Sequence, residues 1–218
     1  MRWVIIATLF LANALAQPQG EGGTLTTTAG QEFPGQLLEP IVTLETALAV
    51  GGVLNLEPRF IRRLENTDGI DTVVLRDDAR LTGAIVNAAL QFTTRFGTRA
   101  IDLTLIRTVE LSGAVPRELT AMPEARRQVR LTDGQVLVGR ISASAGDVVI
   151  QLSFATVRLR PLALRSLQVM ADRLTIEATD GARFSGSGAA PDLSLEAPYG
   201  TFLIPGQLIQ VVDVVPSS

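Results

Sequence analysis

Three observations predict an all-β fold made of tandem repeats. A turn is written four times with the same spacing, Gly30 to Gly35, Asp78 to Gly83, Gly134 to Gly139 and Gly181 to Gly186. Two places before each second glycine stands a large apolar residue, Phe33, Leu81, Leu137 or Phe184. Between these turns, apolar and polar residues alternate over short stretches punctuated by glycine and aspartate, which is the period of half-buried strands rather than of helices.

The first sixteen residues stand apart from the repeats. Arg2 gives a positive start, Trp3 to Leu11 is almost wholly apolar, and Ala14-Leu15-Ala16 offers the small-x-small pattern of a signal peptidase site. Residues 1–16 are therefore expected to be a signal peptide cleaved before Gln17. The competing reading, a membrane anchor or buried helix, meets an apolar run well short of the roughly 20 residues that span a bilayer. The expectation is an exported chain, periplasmic or extracellular, with no transmembrane segment after cleavage. The chain has no cysteine, so neither a lipobox lipid nor a disulfide is available and packing alone must stabilise it.

Each repeat reads as about five short strands. In the first, Leu25, the Gly30 turn, Phe33 and Gly35 lead to Val42 and Leu44, the Gly51-Gly52 turn, Leu54 and Leu56, then Ile61 and Leu64. The second runs from Val73 and Leu75 through Asp77-Asp78 to Leu81, Gly83 and Ile85. Leu90 and Phe92, a turn near Gly97, Ile101 and Leu103, and Ile106 to Leu111 follow. The third carries Val129, Leu131, Asp133-Gly134, Leu137, Gly139 and Ile141, then Val148 to Phe154, Val157, Leu159, Leu162 and Leu167 to Val169. The fourth gives Leu174, Ile176, Asp180-Gly181, Phe184 and Gly186, then Leu193, Leu195, Tyr199-Gly200, Phe202, Ile204 and Leu208 to Val214. The first residue of each turn pair suits the positive φ of a tight hairpin, and the second, inside a strand, suits a bulge or a close backbone approach.

The second glycines are spaced by 48, 56 and 47 residues. The longer middle step coincides with Ser112 to Arg126, which holds Pro116 and Pro123 and interrupts the alternation. Residues 17–112 are thus expected to carry repeats 1 and 2, residues 113–126 a linker, and residues 127–218 repeats 3 and 4. A lone repeat is too small to bury an adequate core. Neighbours should pack together or share strands, and the sequence leaves open which.

The stretch Val129-Arg-Leu-Thr-Asp-Gly-Gln-Val-Leu-Val-Gly-Arg-Ile141 resembles the opening hairpin of Sm-like and other SH3-like small barrels, and the proline turns Arg160-Pro161 and Ile204-Pro205 are similar too. All four repeats also resemble the L-x-[DN]-G-x-x-L-x-G-x-[IV] repeats of exported bacterial proteins of unknown function. The resemblance implies small barrels, and with the division at residues 113–126 the expectation is four of them packed in two pairs. It supplies no binding residue, because the second Sm motif, which contacts RNA, has no counterpart here.

Composition removes much of the remaining chemistry. With no histidine, cysteine or lysine, the chain cannot build a Ser-His-Asp triad, a Cys-His pair, a Ser-Lys dyad, a Schiff base or a typical zinc site. Loss of Arg2 with the signal peptide takes the formal charge from −3 to −4, a poor balance for binding nucleic acid. The single tyrosine, Tyr199, and the loss of Trp3 leave few platforms for glycans or proline-rich peptides. Strands this short, without aromatic girdles, do not suit an outer-membrane barrel.

Two groups of polar residues remain. Asn66-Thr67-Asp68-Gly69-Ile70-Asp71 reads as a turn, with calcium ligation or acid catalysis by Asp68 and Asp71 as alternatives, while Asp77, Asp78, Asp133 and Asp180 read as turn residues. Arginines cluster at Arg59, Arg62 and Arg63, at Arg126, Arg127 and Arg130, and at Arg158, Arg160 and Arg165. Alternation puts Arg158 and Arg160 on one strand face. The last six are the candidate partner-binding residues, either as a solvated face or as a seat for an anionic ligand or partner. No catalytic, metal or cofactor-binding residue is assigned. The expected role is a non-catalytic exported scaffold or adaptor that binds an envelope protein or a second copy of itself. The alternative is a carboxylate-based hydrolase of envelope glycans.

Overall fold

A computed structural model describes residues 20–120, 126–142 and 145–215. The expected signal peptide, residues 121–125 of the expected linker and the last three residues lie outside them. The fold is all-β, and the twenty strands among the described residues join in one antiparallel network.

The strands fall into four successive fives. The first set is β1 (Glu21–Thr27), β2 (Glu32–Leu37), β3 (Val42–Glu45), β4 (Val53–Leu56) and β5 (Ile61–Thr67). The second is β6 (Ile70–Leu75), β7 (Arg80–Ile85), β8 (Ala89–Thr94), β9 (Gly97–Asp102) and β10 (Ile106–Leu111). A one-turn helix, α1 (Arg117–Thr120), follows, and is all that the interruption of the alternation yields as helix. The third set is β11 (Arg126–Leu131), β12 (Val136–Ile141), β13 (Val148–Gln151), β14 (Thr156–Leu159) and β15 (Leu164–Met170). The last is β16 (Arg173–Ala178), β17 (Arg183–Ser187), β18 (Leu193–Ala197), β19 (Gly200–Ile204) and β20 (Ile209–Val214). A short 3-10 turn leads into the fifth strand of every set, at Pro58–Phe60, Leu103–Leu105, Pro161–Ala163 and Gly206–Leu208.

Strands are exchanged between neighbouring sets. The first two strands of each set form the recurrent hairpin, but the second strand pairs onward with the third strand of the other set. Thus β2 pairs with β8, β7 with β3, β12 with β18 and β17 with β13. The fifth strand likewise crosses over, β10 pairing with β1 and β20 with β11, while β5 and β15 pair with β6 and β16. The resulting five-stranded runs are β10-β1-β2-β8-β9, β5-β6-β7-β3-β4, β20-β11-β12-β18-β19 and β15-β16-β17-β13-β14. The fifth strands tie these runs together in twos, through β5 with β10 and β15 with β20.

The recurrent glycines sit at the crossing points. At Gly139 a Cβ would stand 2.5 Å from the carbonyl oxygen of Glu196 on β18. Gly35, Gly83 and Gly186 meet the carbonyls of Thr93, Glu45 and Gln151 more tightly still. The second glycine therefore marks a close approach rather than a bulge; the register shifts lie elsewhere, at Thr26/Thr27, Arg130/Leu131, Ile61/Arg63 and Leu164/Ser166. The first position has positive φ in all four turns, including non-glycine Asp78 at 68° and Gly134 at 86°.

Apolar alternation fills one continuous core, in which Phe92 and Phe202 are the largest fully buried side chains. Of the repeated apolar residues, Leu81 and Leu137 are buried, whereas Phe33 and Phe184 are only partly covered.

Candidate interaction surface

The recurrent hairpin turns account for Asp77, Asp78, Asp133 and Asp180. The residue before the positive-φ position turns its carboxylate onto the backbone two residues on. Asp77 accepts from Ala79 N at 3.2 Å, Asp133 from Gln135 N at 3.0 Å and Asp180 from Ala182 N at 3.0 Å. Asp78 pairs with Arg62 at 2.7 Å.

The 66–71 segment is the β5–β6 hairpin, with Asp68 at φ 53° and Gly69 at φ 80° in its turn. Both oxygens of Asp71 are engaged, one by Asn66 Nδ2 at 2.7 Å and one by Ile85 N at 2.8 Å. Asp71 thus holds strand backbone, while Asp68 is exposed at the turn.

The six candidate arginines divide. Arg127 is buried, contrary to its expected place on a binding face. Across the ladder it faces Gly139, where no side chain competes for space. Its Nη2 donates to Leu164 O at 2.9 Å and its Nη1 to Arg126 O at 3.2 Å, leaving Nε without a hydrogen-bond partner. Burial pushes its pKa down. Arg126 donates to Leu119 O at 2.7 Å and lies 3.6 Å from Asp77. Arg165 pairs with Glu177 at 3.2 Å, and Arg183 reaches the same carboxylate at 3.0 Å. Arg130, Arg158 and Arg160 are exposed. They lie on different five-stranded runs, Arg130 on β11 and the other two on or just after β14.

A polar node that the sequence reading did not single out joins the two pairs of strand sets. Tyr199, in the β18–β19 turn, donates its hydroxyl toward Val138 O at 3.1 Å and Asp77 Oδ2 at 3.3 Å. Its ring packs against Phe60 at 6.3 Å and Phe202 at 6.0 Å between centroids. Burial pushes the Asp77 carboxyl up, with the Ala79 hydrogen bond and Arg126 opposing. Burial and then the Asp77 charge push the Tyr199 hydroxyl well up, so that it stays a donor. Around this node the β3–β4 loop lies along β19. Val50 N donates to Thr201 O at 3.0 Å and Leu203 N to Leu48 O at 2.9 Å. Arg80 at the start of β7 pairs with Val136 at the start of β12.

The outer strand of the run β10-β1-β2-β8-β9 is open. Among the described residues β9 pairs only with β8, and its residues are exposed except for half-buried Ile101. At its entry Phe96 is 72% exposed, with the Arg95 guanidinium 4.6 Å from its ring. Phe96, Phe33, Phe92 and Ile101 line an apolar groove there. A free edge flanked by apolar side chains is the kind of surface that accepts a further strand. No known family, curated protein or solved structure matches the chain.

Proposed function

We propose that the chain is an exported, non-catalytic β-repeat scaffold or adaptor that mediates protein–protein interaction or self-assembly in the cell envelope. The observation that carries this reading is the open β9 edge beside exposed Phe96, a backbone ladder with apolar anchoring but no cover. In this reading the five-stranded runs act as small SH3-like barrels, rigid supports for their edges and loops. Of the two carboxylates that the hydrolase alternative names, Asp71 has both oxygens held by Asn66 and the Ile85 backbone, which favours the binding role.

The test is a photo-crosslinking residue in place of Ala100 on β9, used in the native envelope. A reproducible adduct, with a second copy or with one envelope protein, is expected. An absent adduct together with turnover of an envelope glycan that is lost in Asp68→Asn overturns the proposal.

A further inference from the structure

The contact between the two pairs of strand sets has a second, uncovered version, one half of it on each pair. Aligning the pairs on their recurrent glycines superposes Gly35 on Gly139 and Gly83 on Gly186. The strands β2, β8 and β9 then correspond to β12, β18 and β19, and β7 and the β3–β4 loop to β17 and the β13–β14 turn. Inside the chain, β7 and the β3–β4 loop of the first pair dock on β12, β19 and Tyr199 of the second. The first pair's own version of the receiving face, and the second pair's own version of the docking face, meet no counterpart among the described residues.

Their residues match what each would meet. Phe96-Gly97 occupies the turn position of Tyr199-Gly200, yet Phe96 is 72% exposed where Tyr199 is 6%. Gln31 stands where Gln135 accepts from Thr82 N across the internal contact at 3.0 Å. Where Arg80 faces Val136, the unmet pair is Arg183 facing Glu32, opposite charges on two exposed residues. The β13–β14 turn is shorter than the β3–β4 loop but carries Phe154, 86% exposed, as an apolar side chain to fill the groove beside Phe96.

From this we infer that the chain assembles head to tail with copies of itself, the β13–β14 turn and β17 of one copy docking on β9 and Phe96 of the next. The inference deepens the scaffold reading and rests on it. A contact between two different faces repeats along an assembly instead of closing in a two-fold pair. Both partners therefore keep one face open after the first contact.

The experiment uses the signal-processed chain in sedimentation velocity up to about 100 μM, a concentration that populates even weak complexes. The wild type is expected to grow in mass with concentration. Phe96→Asp, on the receiving face, and Phe154→Asp, on the docking face, change exposed side chains and should each be monomeric. Mixed together they should form a dimer and stop, because each still carries one intact face. Glu32→Arg should weaken assembly about tenfold, the effect of one like-charge contact, and Arg183→Glu in the same chain should restore it. A wild type that stays monomeric, a dimer that does not grow, or a mixture that fails to complement overturns the inference. If the wild type is monomeric while position 100 crosslinks a different envelope protein, this inference falls and the scaffold reading stands. With neither result, both fall.

Discussion

Replacing Gly139 by alanine tests the close approach on which strand exchange depends. The added Cβ would lie 2.5 Å from Glu196 O and 3.0 Å from both Glu196 C and Leu195 Cγ, where ordinary contact starts at 3.4 Å, so β18 must retreat by about 0.9 Å. It has little room to do so. Arg140 and Ile141 are registered against Glu196 and Leu195, and Leu195 and Ile141 are buried in the core. Forcing an extra methyl into such a place costs about 1–3 kcal/mol, and a weakened ladder bond adds about 1 kcal/mol. At roughly 2–4 °C per kcal/mol for a chain of this size, the midpoint of thermal unfolding should fall by about 5–15 °C. The control is Gly134→Ala, where φ is 86° and no atom lies within 4 Å of the new Cβ. That change carries only the left-handed backbone penalty, about 1–2 kcal/mol. Both variants would be followed by circular dichroism on heating and by urea titration. If Gly139→Ala costs no more than Gly134→Ala, the recurrent glycine is not there for the crossing strand and the reasoning fails.

Two further predictions concern the node between the pairs. Tyr199→Phe keeps the ring contacts but removes the donor to Val138 O and Asp77, and should destabilise by about 1–3 kcal/mol in urea titration; a loss below the error of the titration would show that these bonds contribute nothing. The raised pKa of buried Asp77 means that the folded state binds its proton more tightly than the unfolded state. Its contribution is therefore most favourable below the unfolded carboxylate pKa and is lost as pH rises through the folded value. The stability of wild type relative to Asp77→Asn should accordingly increase on acidification across and just above the usual carboxylate range, and an unchanged or opposite difference would refute the burial argument.

The turns and strands were legible because their causes are local. An Asp followed by a residue of positive φ, as at Asp133-Gly134, writes its hairpin within a few residues. The partner of each hairpin was not legible. Gly139 announces that something approaches closely, but β12 would bury the same alternating residues against β13 as against β18. Arg126 and Arg127 show where the reading could have gone further. Consecutive residues on a strand point to opposite faces, so both could not lie on one solvated surface, and the one across from Gly139 is the one taken inward. Tyr199 and Phe96 occupy the same turn position in two repeats. Only the neighbour packed against one of them separates a buried keystone from an exposed ring.

The two kinds of contact in the chain differ in symmetry, and that difference bears on what the molecule can build. Within each pair the fifth strands meet at equivalent positions: Leu64 faces Val109, and Leu167 faces Val212, each the fourth residue of its strand. Equivalent residues facing one another define a local two-fold axis, and a two-fold contact completes itself. Each pair is therefore closed, and neither of its repeats has a full set of ladders without the other. The contact between pairs also brings like strands together, Arg80 and Val136 each being the first residue of a set's second strand. It draws, however, on different halves of the two pairs, β7 meeting β12 rather than its pair-level counterpart β17. Joining two pairs therefore consumes one face of each and leaves the other face of each uncovered among the described residues. Strand exchange makes closed double units, and the contact between them, drawn from a different half of each, supplies the direction in which more units can be added.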